Sequence, residues 1–104
     1  MKTALGNITV LDLSRVLAGP YCTQMLGDMG AEIIKIERLG GGDDTRQWGP
    51  PYLQDDAGQD TSESAYYLSC NRNKKSIAID IRTEQGQDLL HKLIEKADIL
   101  IHNF

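Results

Sequence analysis

Two apolar, β-branched runs, residues 8–13 (ITVLDL) and residues 31–37 (AEIIKIE), flank a stretch of helical spacing, and no more than one helix fits between them. Strands joined by so short a helical connection share a sheet only as parallel neighbours related by a right-handed crossover. The connecting stretch is punctuated accordingly. Gly19-Pro20 opens it, Cys22, Met25, Leu26 and Met29 recur at i, i+3, i+4 and i+7, and Gly30 follows. Those four side chains are the expected inward face, and Pro20 the expected first helical residue.

The alternation resumes after an interruption. Residues 39–61 hold Gly40-Gly41-Gly42-Asp43-Asp44, Gly49-Pro50-Pro51 and Asp55-Asp56-Ala57-Gly58, turn chemistry with no packing period, and read as one long loop. A loop of that length is as a rule functional or mobile. Ser62 is placed to cap a short helix running to Ser69, and residues 75–81 (KSIAIDI) alternate as a third strand. Thr83 caps a second long helix, whose Leu89, Leu90, Leu93, Ile94 and Ala97 share a face, and residues 99–101 begin a fourth strand. The order β-α-β-loop-α-β-α-β implies an α/β, Rossmann-like, mostly parallel sheet with flanking helices. With 104 residues and 40% hydrophobic content the chain can bury one modest core, so residues 1–104 are expected to form a single unit.

Composition removes several function classes. The net charge is −4 and the 11 basic residues are scattered rather than striped, so no nucleic-acid partner is expected. No run approaches a membrane span and the opening run is too short for a signal sequence, so no membrane partner and a cytoplasmic location are expected. Cys22 and Cys70 follow no metal-ligand spacing and read as reduced, buried core fillers. His91 and His102 stand apart from any Cys or carboxylate cluster, so no metal is expected. Neither G-x-G-x-x-G nor G-x-x-x-x-G-K-S/T occurs, which disfavours dinucleotide and P-loop sites. Asp43 and Asp44, beside a Gly-rich turn, read as turn formers.

In an open parallel sheet, ligands bind beyond the carboxyl ends of the strands, so the residues just past each strand are the informative ones. They are residues 15–19 after the first strand, Arg38 after the second, Arg82 after the third, and Asn103 and Phe104 after the fourth. Arginine donates paired, charge-assisted hydrogen bonds to phosphate, and the first amides of a helix add the positive end of its dipole. On spacing alone, Arg38 and Arg82 read more readily as solvated surface cations than as ligand contacts.

The run Val10-Leu11-Asp12-Leu13-Ser14-Arg15-Val16-Leu17-Ala18-Gly19-Pro20, followed by Gly27-Asp28-Met29-Gly30-Ala31-Glu32-Ile33-Ile34-Lys35-Ile36-Glu37-Arg38, resembles the opening of class III CoA-transferases, the CaiB/BaiF family. Gly42-Asp43-Asp44-Thr45-Arg46, Trp48-Gly49-Pro50-Pro51, Asn71-Arg72-Asn73-Lys74-Lys75-Ser76 and Asn103-Phe104 continue the likeness in order, over essentially the whole chain. The resemblance implies transfer of CoA from an acyl-CoA to a free carboxylic acid through anhydride and thioester intermediates on an Asp side chain. It implies that this Asp lies beyond residue 104, that the chain is the first part of a larger CoA-binding domain, and that the complete protein is an interlocked homodimer. It further implies coenzyme A or acyl-CoA as substrate, with CoA contacts at Leu17, Ala18, Arg38, Ile79, Arg82, Asn103 and Phe104. The region around Trp48 is most similar to members acting on dicarboxylic acids such as succinate, glutarate or hydroxymethylglutarate. Two alternatives stay open: an isomerase resembling α-methylacyl-CoA racemase on the same frame, and a non-catalytic CoA-binding or assembly module.

Overall fold

The computed structural model describes residues 3–104. In chain order its elements are β1 (Thr9–Asp12), α1 (Ala18–Asp28), β2 (Glu32–Glu37), a 3-10 turn (Asp44–Gln47), β3 (Tyr52–Gln54), β4 (Asp60–Ser64), α2 (Ala65–Ser69), β5 (Lys74–Ala78), α3 (Glu84–Lys96) and β6 (Ile99–Ile101). β5, β2, β1 and β6 form one parallel sheet in that order. The expected α/β fold, a parallel sheet with flanking helices, is therefore present. The order also settles what succession along the chain left open. The chain winds outward from β1 to β2 and β5, then returns through α3 to the other side of β1, so the winding direction reverses at the β1–β6 boundary.

The core lies on both faces of this sheet. Val10, Ala31 and Ile33 pack with Leu26 of α1, while Leu11, Leu13, Ile36 and Ile79 pack with Leu90 of α3. A strand covered on both sides reads as a continuous apolar run, which is why β1 is apolar at successive positions. Thr83 caps α3 as expected, its hydroxyl accepting from the Gly86 amide at 2.9 Å. Leu90, Leu93 and Ala97 of that helix pack inward, but Leu89 and Ile94 are exposed.

Several expectations need correction. Residues 39–61 are not one structureless loop: they contain the 3-10 turn, and β3 pairs with β4 as an antiparallel hairpin. The unbroken polar run Thr61, Ser62 and Glu63 suits this exposed ribbon, and the Thr61 hydroxyl donates to the Leu53 carbonyl. Ser62 consequently lies in a strand, and Ser64 caps α2 by accepting from the Tyr67 amide at 3.3 Å. The third expected strand stops at Ala78, because Asp80 turns the chain by accepting from the Arg82 amide.

The largest correction concerns α1. It starts at Ala18 rather than Pro20, and its buried side is Pro20, Thr23, Gln24 and Gly27. Tyr21, Cys22, Met25 and Met29 face outward, so Cys22 is no core filler, whereas Cys70 is buried. Specific polar demands on the inner side override the apolar stripe. Thr23 donates to the buried Asp12 carboxylate at 2.6 Å, Gln24 donates to the Ser69 carbonyl at 3.0 Å, and Gly27 lies where a Cβ would stand 3.1 Å from Ile33.

Gly86 fixes how closely α3 approaches the β5 exit, since a Cβ there would fall 1.8 Å from the Asp80 carbonyl oxygen, which is backbone and has little freedom to yield. Gly86→Ala is expected to destabilise the fold by about 2–4 kcal/mol through forced backbone displacement. Gly40→Ala, in open space at φ +83°, is expected to cost only about 1–2 kcal/mol. Urea unfolding followed by circular dichroism compares the two.

Candidate functional site

The β1 exit is held by buried charges from three directions. Asp12 accepts from the Ser14 amide and hydroxyl and from Thr23, with the Lys74 ammonium 3.4 Å away. Lys35, on β2 and 1% exposed, donates to the Ser14 carbonyl at 3.1 Å and to the Asp43 carboxylate at 2.9 Å. Asp43 also accepts from the Thr45 amide and hydroxyl and, at 3.3 Å, from the Val16 amide. Burial by itself would raise the Asp43 pKa, but the Thr45 bonds and the Lys35 charge outweigh it and hold the carboxyl below its ordinary value.

A second carboxylate extends the cluster. Glu37 accepts a two-pronged bond from Arg46 at 2.8 and 2.7 Å, a short one from the Ser76 hydroxyl, one from the Tyr67 hydroxyl and one from the Asp43 amide. Burial opposes ionisation here too, yet these donors bring Glu37 down to about 2. The Arg46 guanidinium lies 3.8 Å from the centre of the Tyr67 ring. Burial and the Glu37 charge push the Tyr67 phenol upward, and burial lowers the Lys74 ammonium in spite of Asp12. Among the described residues every buried side-chain nitrogen and oxygen has a hydrogen-bond partner.

Over this scaffold lies a crevice of about 420 Å³, reached from all four strand exits. Leu13, Ile36, Ile79 and Ile81 give it an apolar floor. Arg15, Arg38, Arg82 and Phe104 are also in its lining. Arg38 pairs with Asp44 at 2.7 Å and Arg82 with Asp80 at 3.0 Å, so each cation is oriented yet largely exposed.

Of the seven positions singled out in the sequence, the structure brings Arg38, Ile79, Arg82 and Phe104 into this crevice. Asn103 instead grips the Arg15 backbone, donating to its carbonyl at 2.7 Å and accepting from its amide at 3.2 Å. Leu17 and Ala18 lie outside the lining, at the start of α1, where Leu17 offers no side-chain cap. Sequence reasoning missed Lys35, Glu37, Arg46 and Tyr67 and gave Asp43 only a turn role. Asp43 does cap the 3-10 turn, but it is also the partner of a buried ammonium. The signal was legible: Lys35 interrupts an apolar strand between Ile34 and Ile36, where an ammonium must find an anion. Among the described residues no three His, Cys, Asp or Glu side chains gather as a metal cluster, and no helix is long and apolar enough to cross a membrane.

A family model described as CoA-transferase family III matches residues 5–104. Relatives include succinate–glutarate CoA-transferase of Agrobacterium fabrum, 50% identical over 99% of this chain and 26% of its own length, and human succinyl-CoA:glutarate CoA-transferase, 50% identical over 96% and 21%. Formyl-CoA:oxalate CoA-transferase of Escherichia coli is 45% identical over 100% of this chain and 23% of its own length. A CAIB/BAIF family protein from Brucella suis superposes with a TM-score of 0.89 at 45% identity, covering 100% of this chain and 26% of that one. The chain thus spans about a quarter of the length of the relatives it matches.

The Glu37 carboxyl has a folded pKa depressed from 4.5 to about 2, so its contribution to stability is fully present above about pH 4.5 and is lost as pH falls toward 2. In acid titrations of thermal stability, Glu37→Gln should lower stability at pH 7 and flatten the decline between pH 4.5 and 2. An unchanged acid slope would count against the pairing.

Proposed function

The chain belongs to CoA-transferase family III, and from that premise we propose that it supplies the acyl-CoA-binding part of an enzyme that moves CoA from an acyl-CoA to a carboxylic acid. The observation that carries the reading is the convergence of four strand exits on one crevice with an apolar floor and arginines in its walls. A CoA molecule needs this combination: a planar base to bury and phosphates to pair. Ile79 with Ile81 and Leu13 takes the base, while Arg38 and Arg82 take phosphate oxygens through bonds of the charge-assisted kind. Phe104 closes one wall, and Asn103 acts indirectly by holding the Arg15 backbone. Leu17 and Ala18, at the uncapped start of α1, meet the acyl end of the ligand.

Two relatives at 50% identity are named for succinate or succinyl-CoA and glutarate, which supports a dicarboxylic acid as acceptor. The covalent exchange is assigned to an Asp nucleophile outside these residues, in an interlocked homodimer that requires no metal. Within the chain, the Asp43 and Glu37 carboxylates are buried and held by Lys35 and Arg46, so neither is free to reach a thioester.

Calorimetry of the whole gene-encoded polypeptide with CoA tests the site. Arg38→Ala and Arg82→Ala should each weaken binding about ten-fold or more, since bonds to charged groups contribute about 1.5–3 kcal/mol. Removing Arg82 also leaves Asp80 unneutralised beside the phosphates, whereas Asp44 keeps Arg15 at 3.4 Å when Arg38 is removed. Asp44→Asn frees Arg38 and should tighten binding. No heat with CoA, or no effect of either arginine, would sink the assignment.

A further inference from the structure

The turn from β1 into α1 is held in an unusual way. Residues 14–16 lie outside the sheet and helix, and every backbone polar group in them is bound by a side chain from elsewhere. The Ser14 amide donates to Asp12, its carbonyl accepts from Lys35, both groups of Arg15 engage Asn103, the Val16 amide donates to Asp43, and the Val16 carbonyl shares the Cys70 thiol, 3.6 Å away, with the Tyr66 carbonyl. Val16 itself has φ +76°. A β-branched residue rarely occupies that region and does so only where its surroundings over-determine the conformation. The turn is also tight, for a Cβ on Gly19 would fall 2.3 Å from the Ser14 side chain. Leu17 comes directly after Val16, and then the first-turn amides of Ala18 and Gly19, which have no intrahelical acceptors.

We propose that Asp43 is a positioning residue: its carboxylate, anchored by Lys35, holds the Val16 amide and so fixes the left-handed turn that presents the start of α1 to the acyl end of CoA. This rests on the proposed CoA-binding role and adds to it a residue at the crevice edge whose own carboxylate is buried and acts through the Val16 amide. The Lys35–Asp43 pair controls two of the turn's backbone groups, and both charges are almost fully buried, so the pair tolerates little displacement. Loss of the carboxylate would let Val16 relax to a negative φ and swing Leu17 and Ala18 away.

The test uses the whole gene-encoded polypeptide with CoA and succinyl-CoA as probes. Asp43→Asn is expected to weaken succinyl-CoA about 10- to 100-fold, as small misplacements of binding groups do, and to affect CoA less. Amide hydrogen exchange should quicken at residues 16–19 while β1 and β2 are unchanged. Adding Val16→Gly to Asp43→Asn should recover most of the lost affinity, because glycine adopts positive φ without strain. A variant that merely loosened the fold would show faster exchange across the sheet and no such rescue. Should Asp43→Asn fail to fold, Val16→Pro serves instead: it leaves the ion pair intact but removes both the amide donor and the positive φ, and should show the same selective loss. Wild-type succinyl-CoA affinity in Asp43→Asn or Val16→Pro overturns the inference. A wild-type protein that binds neither probe overturns the CoA-binding role and the inference with it.

Discussion

Lys35 extends an ammonium into the sheet's interior, and the geometry around the strand exits depends on where that charge is answered. Its counter-ion, Asp43, comes from the Gly-rich segment after β2, and its other acceptor, the Ser14 carbonyl, comes from the end of β1. One side chain thus joins two strands and a loop. Desolvating two charges costs several kcal/mol per ion, and mutual attraction repays that only when the remaining donors and acceptors are also satisfied. Asp43 meets the condition with bonds from Thr45 and Val16. Apolar residues of similar volume would serve stability as well, so the pair is better understood as fixing register.

Glu37 carries the same logic outward. It binds the Asp43 amide on one side and Arg46 on the other, while Arg46 lies against Tyr67 of α2. The segment between β2 and β5 is therefore tied down at its beginning and its end, although the β3–β4 hairpin between them is largely exposed. Arg38 borrows order from this arrangement, because its partner Asp44 immediately follows Asp43. A mouth of exposed cations is thereby oriented by a network rooted in the buried Lys35–Asp43 pair.

The sequence showed the parallel sheet through residues 8–13 and 31–37, and showed the Gly30 and Thr83 boundaries, because those signals are local. It misread α1, whose apolar stripe at Cys22, Met25 and Met29 is outward, since the inner side answers to Asp12 and Ser69, partners remote in sequence. The β3–β4 hairpin was obscured by polar strands that bury little. In the site, the cations at strand ends were legible because topology alone places them. The network beneath was not, because pairing Lys35 with Asp43 and Glu37 with Arg46 and Tyr67 requires knowing which loops fold back. Lys35 within an apolar run announced a buried anion without naming it.

The clasp between Asn103 and Arg15 joins residues 88 positions apart, and Val10 pairs with Ile99 in the same closure. Contacts of such long sequence separation form slowly, because the loop they close costs entropy before any bond repays it. The crevice, having Phe104 in its lining, keeps that wall only while β6 is paired with β1, so a ligand there and the β1–β6 pairing would secure one another. A ligand that held the crevice closed would therefore also slow the departure of β6 from β1, linking how long the fold lasts to how long the site is filled.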